Sequence, residues 1–196
     1  MNERWRQIVL AGYEGDDRAA RAAVHDDDPV VRALALGALD RLGVLSDDDL
    51  LTAFADPDAT VRRRAVELAA TRPDVDLLRM LDDRDTTVVE HAAWACGEHE
   101  DVSDAVIDRL VELATGADVA LVREASIAAL GAIGDERGLP AILAGCHDQP
   151  AVRRRAVLAL APFEGDGVAA AITAALTDRD WQVRQAAEDL VRAAAD

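Results

Sequence analysis

Residues 55–69, ADPDATVRRRAVELA, read as an acidic turn followed by a helix with one apolar stripe, and the pattern returns five more times. It stands at 26–39 (DDDPVVRALALGAL), 82–97 (DDRDTTVVEHAAWACG), 116–131 (GADVALVREASIAALG), 147–160 (HDQPAVRRRAVLAL) and 177–191 (TDRDWQVRQAAEDLV). With Val31, Val61, Val89, Val122, Val152 and Val183 as anchors, the copies lie 28 to 33 residues apart. Arg follows five of the six anchors, and a small residue stands four places on in each: Ala35, Ala65, Ala93, Ser126, Ala156 and Ala187. A period of this length marks modules that bury their apolar stripe only by stacking on one another.

Each copy reads as two helices. An Asp N-cap, with Pro at the first helical position in two cases (Pro29, Pro150), opens the second helix. The anchor, the small residue at +4 and apolar residues near +7 and +8 form its buried stripe. Shorter first helices are expected over 47–55, 75–81, 103–114, 139–146 and 168–176, with Gly and acidic turns between. Position +5 reads Leu36, Val66, Trp94, Ile127, Val157 and then Glu188, so +5 is expected to face the following repeat, which the last one lacks. The fold class is all-α, with no strands. The expected organisation is one domain over 1–196, with repeats near 14–43, 44–72, 73–100, 101–134, 135–163 and 164–196. Residues 2–12 (Trp5, Ile8, Val9) form an N-terminal capping helix over the first repeat.

The pattern resembles the short HEAT-like repeats of the phycobilin-lyase class, with the signature D-x-x-x-V-R-x-x-A-x-x-A-L-G. The resemblance covers residues 14–195 and implies a right-handed α-solenoid of paired antiparallel helices, second helices lining the concave side. Such repeats serve as scaffolds, lyase subunits, metal-dependent hydroxylases and DNA glycosylases, so fold alone does not select a function.

Composition narrows the classes. The 196 residues carry 38 acidic and 21 basic side chains, a formal charge of −17, and every basic residue is Arg. Nucleic acid and anionic lipid are poor partners for such a chain, since phosphate binding rests on excess cation. No segment approaches the roughly 20 apolar residues of a membrane span, and Ile8-Val9-Leu10 is too brief for a signal-peptide core. Cys96 and Cys146 read as free thiols in apolar settings. The expectation is a cytoplasmic monomer with a protein or peptide partner of basic or mixed charge. The abundant Ala, 41 residues, suits closely stacked helices.

The Arg after each anchor is expected to form a structural ladder with Asp28, Asp58, Asp118, Asp148 and Asp180. Trp181 is read as packing between repeats, and Trp5 as the anchor of the N-terminal helix. The third repeat is the irregular one, with Glu90, His91, Trp94, Cys96, Glu98, His99 and Glu100 close together. The resemblance brings to mind the deoxyhypusine hydroxylases, which hold iron through repeated His-Glu dipeptides, but only His99-Glu100 has that order here. His91 and His99 lie about 12 Å apart along a helix axis and cannot share one ion. No metal ligands, cofactor or catalytic residues are assigned, for no phosphate loop, zinc spacing or nucleophile elbow occurs. Positions +2, +6 and +9 are left for a partner. They place Arg63, His91, Glu98, Glu124 and Arg154 over a floor of small residues, with Trp94 at the edge. The function expected is a non-enzymatic interaction scaffold or adaptor. The alternative is a lyase-like or chaperone subunit acting on a cofactor-bearing protein, or a degenerate metal-dependent hydroxylase.

Overall fold

Helix pairing follows from the caps. A computed structural model describes residues 3–194, and among these the chain forms twelve α-helices, two short 3₁₀ helices and no strand. It divides into two compact units, Met1–Ala92 and Ala93–Asp196.

In the first unit, α1 (Glu3–Glu14) and α2 (Asp17–Ala23) both pack on α3 (Pro29–Arg41). α4 (Asp47–Ala53) packs on α5 (Ala59–Ala69), which also lies along α3. A capping box between Ser46 and Asp49 fixes the start of α4, each satisfying an amide of the other. The first helix of the third repeat is a 3₁₀ turn, Leu78–Asp82, rather than the α-helix expected over 75–81. Asp76 caps the amide of Leu78 at 2.9 Å, and this local bond draws the backbone into a turn. α6 (Thr86–Gly97) begins in this unit and ends in the second.

In the second unit, α7 (Asp104–Gly116) packs on α8 (Ala120–Ile133), α9 (Leu139–Gly145) on α10 (Pro150–Ala159), and α11 (Asp166–Ala175) on α12 (Trp181–Ala193). The second helices α8, α10 and α12 also stack in that order. Close approach needs small residues: a Cβ on Gly131 would lie 2.7 Å from the Cα of Ala159, and one on Gly97 2.9 Å from that of Ala129.

The Arg ladder is real, but its acceptors differ from those expected. Arg32 binds Asp56 through Nε and an Nη at 2.8 and 2.7 Å, and its other Nη reaches the carbonyls of Asp26 and Asp27. Arg62 does the same with Asp83, Arg123 with Asp148, and Arg153 with Asp178. Each guanidinium thus ties its own turn to a carboxylate of the next repeat, a two-sided fork that Lys does not offer. Of the acceptors expected, Asp148 alone serves. Asp28, Asp58 and Asp180 instead cap their own helices, accepting from Val30, Thr60 and Gln182. Asp118 is exposed. Arg184, in the last repeat, keeps its bond to the carbonyl of Asp178.

This two-Asp turn resets the register of the third repeat. Asp83 accepts from Arg62 and from the amide of Asp85, and Asp85 accepts from Thr87, as Asp56 and Asp58 do one repeat earlier. The anchor is therefore Val88, not Val89. Val89 occupies the ladder position, Ala92 and Ala93 become the buried +4 and +5 residues, and Trp94 moves to +6. The +5 row is then buried from Leu36 through Val66, Ala93 and Ile127 to Val157, and only Glu188 is exposed. Trp181 is 64% exposed rather than packed between repeats, because seven residues before Glu188 it shares the same exposed face of α12.

At the other end, α1 behaves as a second helix. Arg4 binds Asp26 in ladder fashion, the Trp5 indole donates to Asp28 at 2.9 Å, and Trp5 and Ile8 pack on Ala23, Val31 and Ala35. Gly12 receives Ala38 as Gly131 receives Ala159.

Candidate functional site

The second helices of the first unit form a groove of about 240 Å³. Its floor comes from Val9 of α1 and Ala33, Leu34 and Gly37 of α3; its cations are Arg41, Arg63 and Arg64, with Glu67 as the carboxylate. Glu67 is the hub. Arg64 reaches it at 3.0 Å, Arg63 at 3.6 Å, and the Nε2 of His91 lies 3.5 Å away. His91 is held from its other side by Nδ1, 2.7 Å from the carbonyl of Thr87. Arg64 lies across α3 over Gly37, where a Cβ would stand 2.8 Å from an Nη and displace that guanidinium. Arg41 stacks on the Tyr13 ring at 4.4 Å and makes no ion pair among the described residues.

The expected site residues divide between the two units. Arg63 and His91 meet through Glu67 in the first. In the second, Glu124 lies 3.7 Å from Arg155, while Glu98 and Arg154 are exposed. Trp94 is 44% exposed, on a position held elsewhere by Gly37, Glu67, Ala128 and Leu158. Arg41, Arg64 and Glu67 were not among the residues expected to bind. Arg64 and Glu67 could have been found, because i, i+3 spacing on a helix pairs them.

The ladder carboxylates are electrostatically committed. Hydrogen bonds from Arg123 and Arg153 hold Asp148 and Asp178 below the ordinary carboxylate range. Burial pushes Asp56 and Asp83 upward, but the guanidiniums of Arg32 and Arg62 more than offset it, and both end lowered. Such groups serve structure and are poor general acids or bases near neutrality. Neither Cys96 nor Cys146 is in a disulfide, and burial pushes Cys146 up to about 11, away from nucleophilic use. Among the described residues, no group of three His, Cys, Asp or Glu side chains is placed to hold a metal ion. No helix described is long and apolar enough to cross a membrane.

The sequence profile of HEAT repeats matches residues 48–131, 73–151 and 107–192, overlapping segments that span most of the chain. No curated protein matches. Among solved structures, YibA of E. coli is 19% identical at a TM-score of 0.61, covering 81% of this chain and 62% of its own; the chain spans under two thirds of that protein. The CpcE–CpcF complex of phycocyanin lyase from Nostoc sp. is 23% identical at 0.64, with 87% and 74% covered. A designed armadillo repeat protein in complex with the peptide (KR)4 is 18% identical at 0.61, with 98% and 99% covered. Likeness at these identities establishes a shared fold of stacked helical repeats.

Proposed function

Because this chain belongs to the HEAT-repeat family, we propose that it is a non-enzymatic adaptor holding a protein or peptide partner on its second helices. The observation that carries this reading is Trp94. A second helix has a buried stripe for its indole, yet Trp94 stands in solvent on the outward side. An exposed Trp on a rigid helix is the kind of residue that dominates binding energy. Glu98, Glu124 and Arg154 are the polar contacts proposed in the same unit as Trp94, and Arg63 and His91 those proposed in the first unit. The formal charge of −17 favours a partner of basic or mixed charge. The protein works in the cytoplasm as a monomer.

The test is capture of a partner with the tagged chain, purification of that partner, and titration against variants. Trp94→Ala is expected to weaken binding by roughly tenfold or more. Unchanged affinity for both Trp94→Ala and an Arg63, His91 and Glu98 triple-Ala variant overturns the assignment. A lyase-like subunit is the second reading, favoured by the fold shared with the Nostoc complex. It predicts a changed absorption spectrum when a bilin is added to the purified chain. A hydroxylase relic predicts stoichiometric iron by elemental analysis.

A further inference from the structure

The charge of the whole chain hides a local reversal. The groove between α1, α3 and α5 is lined by three guanidiniums and one carboxylate, in a protein with almost twice as many acids as bases. The single carboxylate is already shared: Glu67 faces Arg63, Arg64 and His91 together. Arg41 is exposed over an aromatic face and makes no ion pair among the described residues, and the buried Nε of Arg63 approaches Glu67 only to 3.6 Å, too far for a hydrogen bond. The ladder cations of this unit, Arg32 and Arg62, each hold a bidentate Asp instead. Unspent cationic capacity is therefore concentrated over a floor of small and apolar side chains.

We propose that this groove binds an extended acidic peptide segment of the partner, with a carboxylate between Arg41 and Arg63 and a short apolar side chain on Ala33 and Leu34. A carboxylate matches the planar fork of Arg, and the adjacent apolar surface selects a peptide over a bare anion. The volume of about 240 Å³ accommodates one or two side chains, not a folded domain. This assignment rests on the adaptor reading and refines it, giving the acidic portion of a mixed-charge partner its place.

The experiment titrates the full chain with two labelled octapeptides, one alternating Glu and Val and one alternating Lys and Val, at low and at high salt. The Glu–Val peptide is expected to bind more tightly than its Lys counterpart, and to weaken by about tenfold or more as salt screens the contact. The Arg41→Glu and Arg63→Glu variants are each expected to lose about tenfold, with Arg179→Glu, an exposed site outside the groove, unchanged. Arg63→Gln serves as the milder variant, and circular dichroism confirms that each protein is folded. Equal Glu–Val affinity in the wild type and both reversals overturns the proposal, as does full displacement of the peptide by millimolar inorganic phosphate. Preference for the Lys–Val peptide, lost in Trp94→Ala, overturns the acidic assignment but leaves the adaptor reading standing. Binding of neither peptide, together with an unaffected partner titration for Trp94→Ala, removes both.

Discussion

α5 and α6 occupy successive copies of one place in the repeat, and they solve it differently. α5 sends Arg62, only 4% exposed, onto Asp83 and onto the carbonyls of Asp56 and Pro57. α6 presents Val89 at the same position, and Ala117 stands where the acceptor of the next repeat would be. Cation and acceptor are missing together. This is what the energetics of burial require, because a desolvated ion whose partner is gone costs more than a rung left out altogether. The outward faces differ as well. On α5, Arg64 bonds Glu67 at 3.0 Å with Arg63 close by at 3.6 Å, while α6 puts Trp94 into solvent. The departure from the repeat pattern and the exposed aromatic fall on one helix.

Breaking the rung in α5 should give the largest effect. Arg62→Ala leaves the buried Asp83 carboxylate without its cation, with only the amide of Asp85 to bond it, and is expected to cost about 3–5 kcal/mol in chemical denaturation. Val89→Ala, which removes only apolar volume, is expected to cost about 1 kcal/mol; near-equal losses would mean that the ladder holds little. Next comes Gly97→Ala. Ala70, the C-cap of α5, occupies the matching place, but a Cβ at Gly97 would meet the backbone of Ala129 at 2.9 Å, so a loss of about 1–3 kcal/mol is expected.

The acid limb of the melting curve separates the two helices further. Asp56, Asp83, Asp148 and Asp178 are lowered in the folded state from an ordinary value of 3.8. Their contribution is complete above that value and is lost as pH falls through the lowered folded values. Melting temperature should therefore be flat near neutrality and fall below about pH 4. In Arg62→Ala the fall should begin at higher pH, because Asp83 keeps its burial without its guanidinium; in Val89→Ala it should not move. The smallest effect belongs to Trp94→Ala, expected to change stability by less than about 0.5 kcal/mol while weakening partner binding.

The comparison also marks where sequence reasoning stops. Six copies, their helical period and the buried +4 and +5 rows follow from residue type and spacing, and so does the role of the Arg beside each anchor. The acceptors were harder, since Asp83 lies 21 residues from Arg62 but Asp148 lies 25 from Arg123, and acidic residues crowd every turn. The doublet Val88-Val89 has no Arg to choose between its members. The signal that decides it is a pair of Asp two apart, 83 and 85 like 56 and 58, which fixes the helix start through side-chain bonds to the backbone. α1 does not read as a second helix because Glu3 stands where an anchoring Val is expected, leaving Arg4 and Gly12 as its marks. For the groove, helical spacing pairs Arg64 with Glu67, whereas the approach of Arg41 and Val9 depends on how α1 and α3 pack.

The three indoles give the molecule its own optical reporters. Trp94 and Trp181 sit in water, while Trp5 is half-buried with its N–H on Asp28. Emission from Trp5 should be the bluest, and the least accessible to a collisional quencher such as acrylamide. Replacing Trp181 with Phe would leave one wet and one sheltered fluorophore, so that occlusion of α6 and detachment of α1 could be followed as separate spectral changes in unlabelled protein.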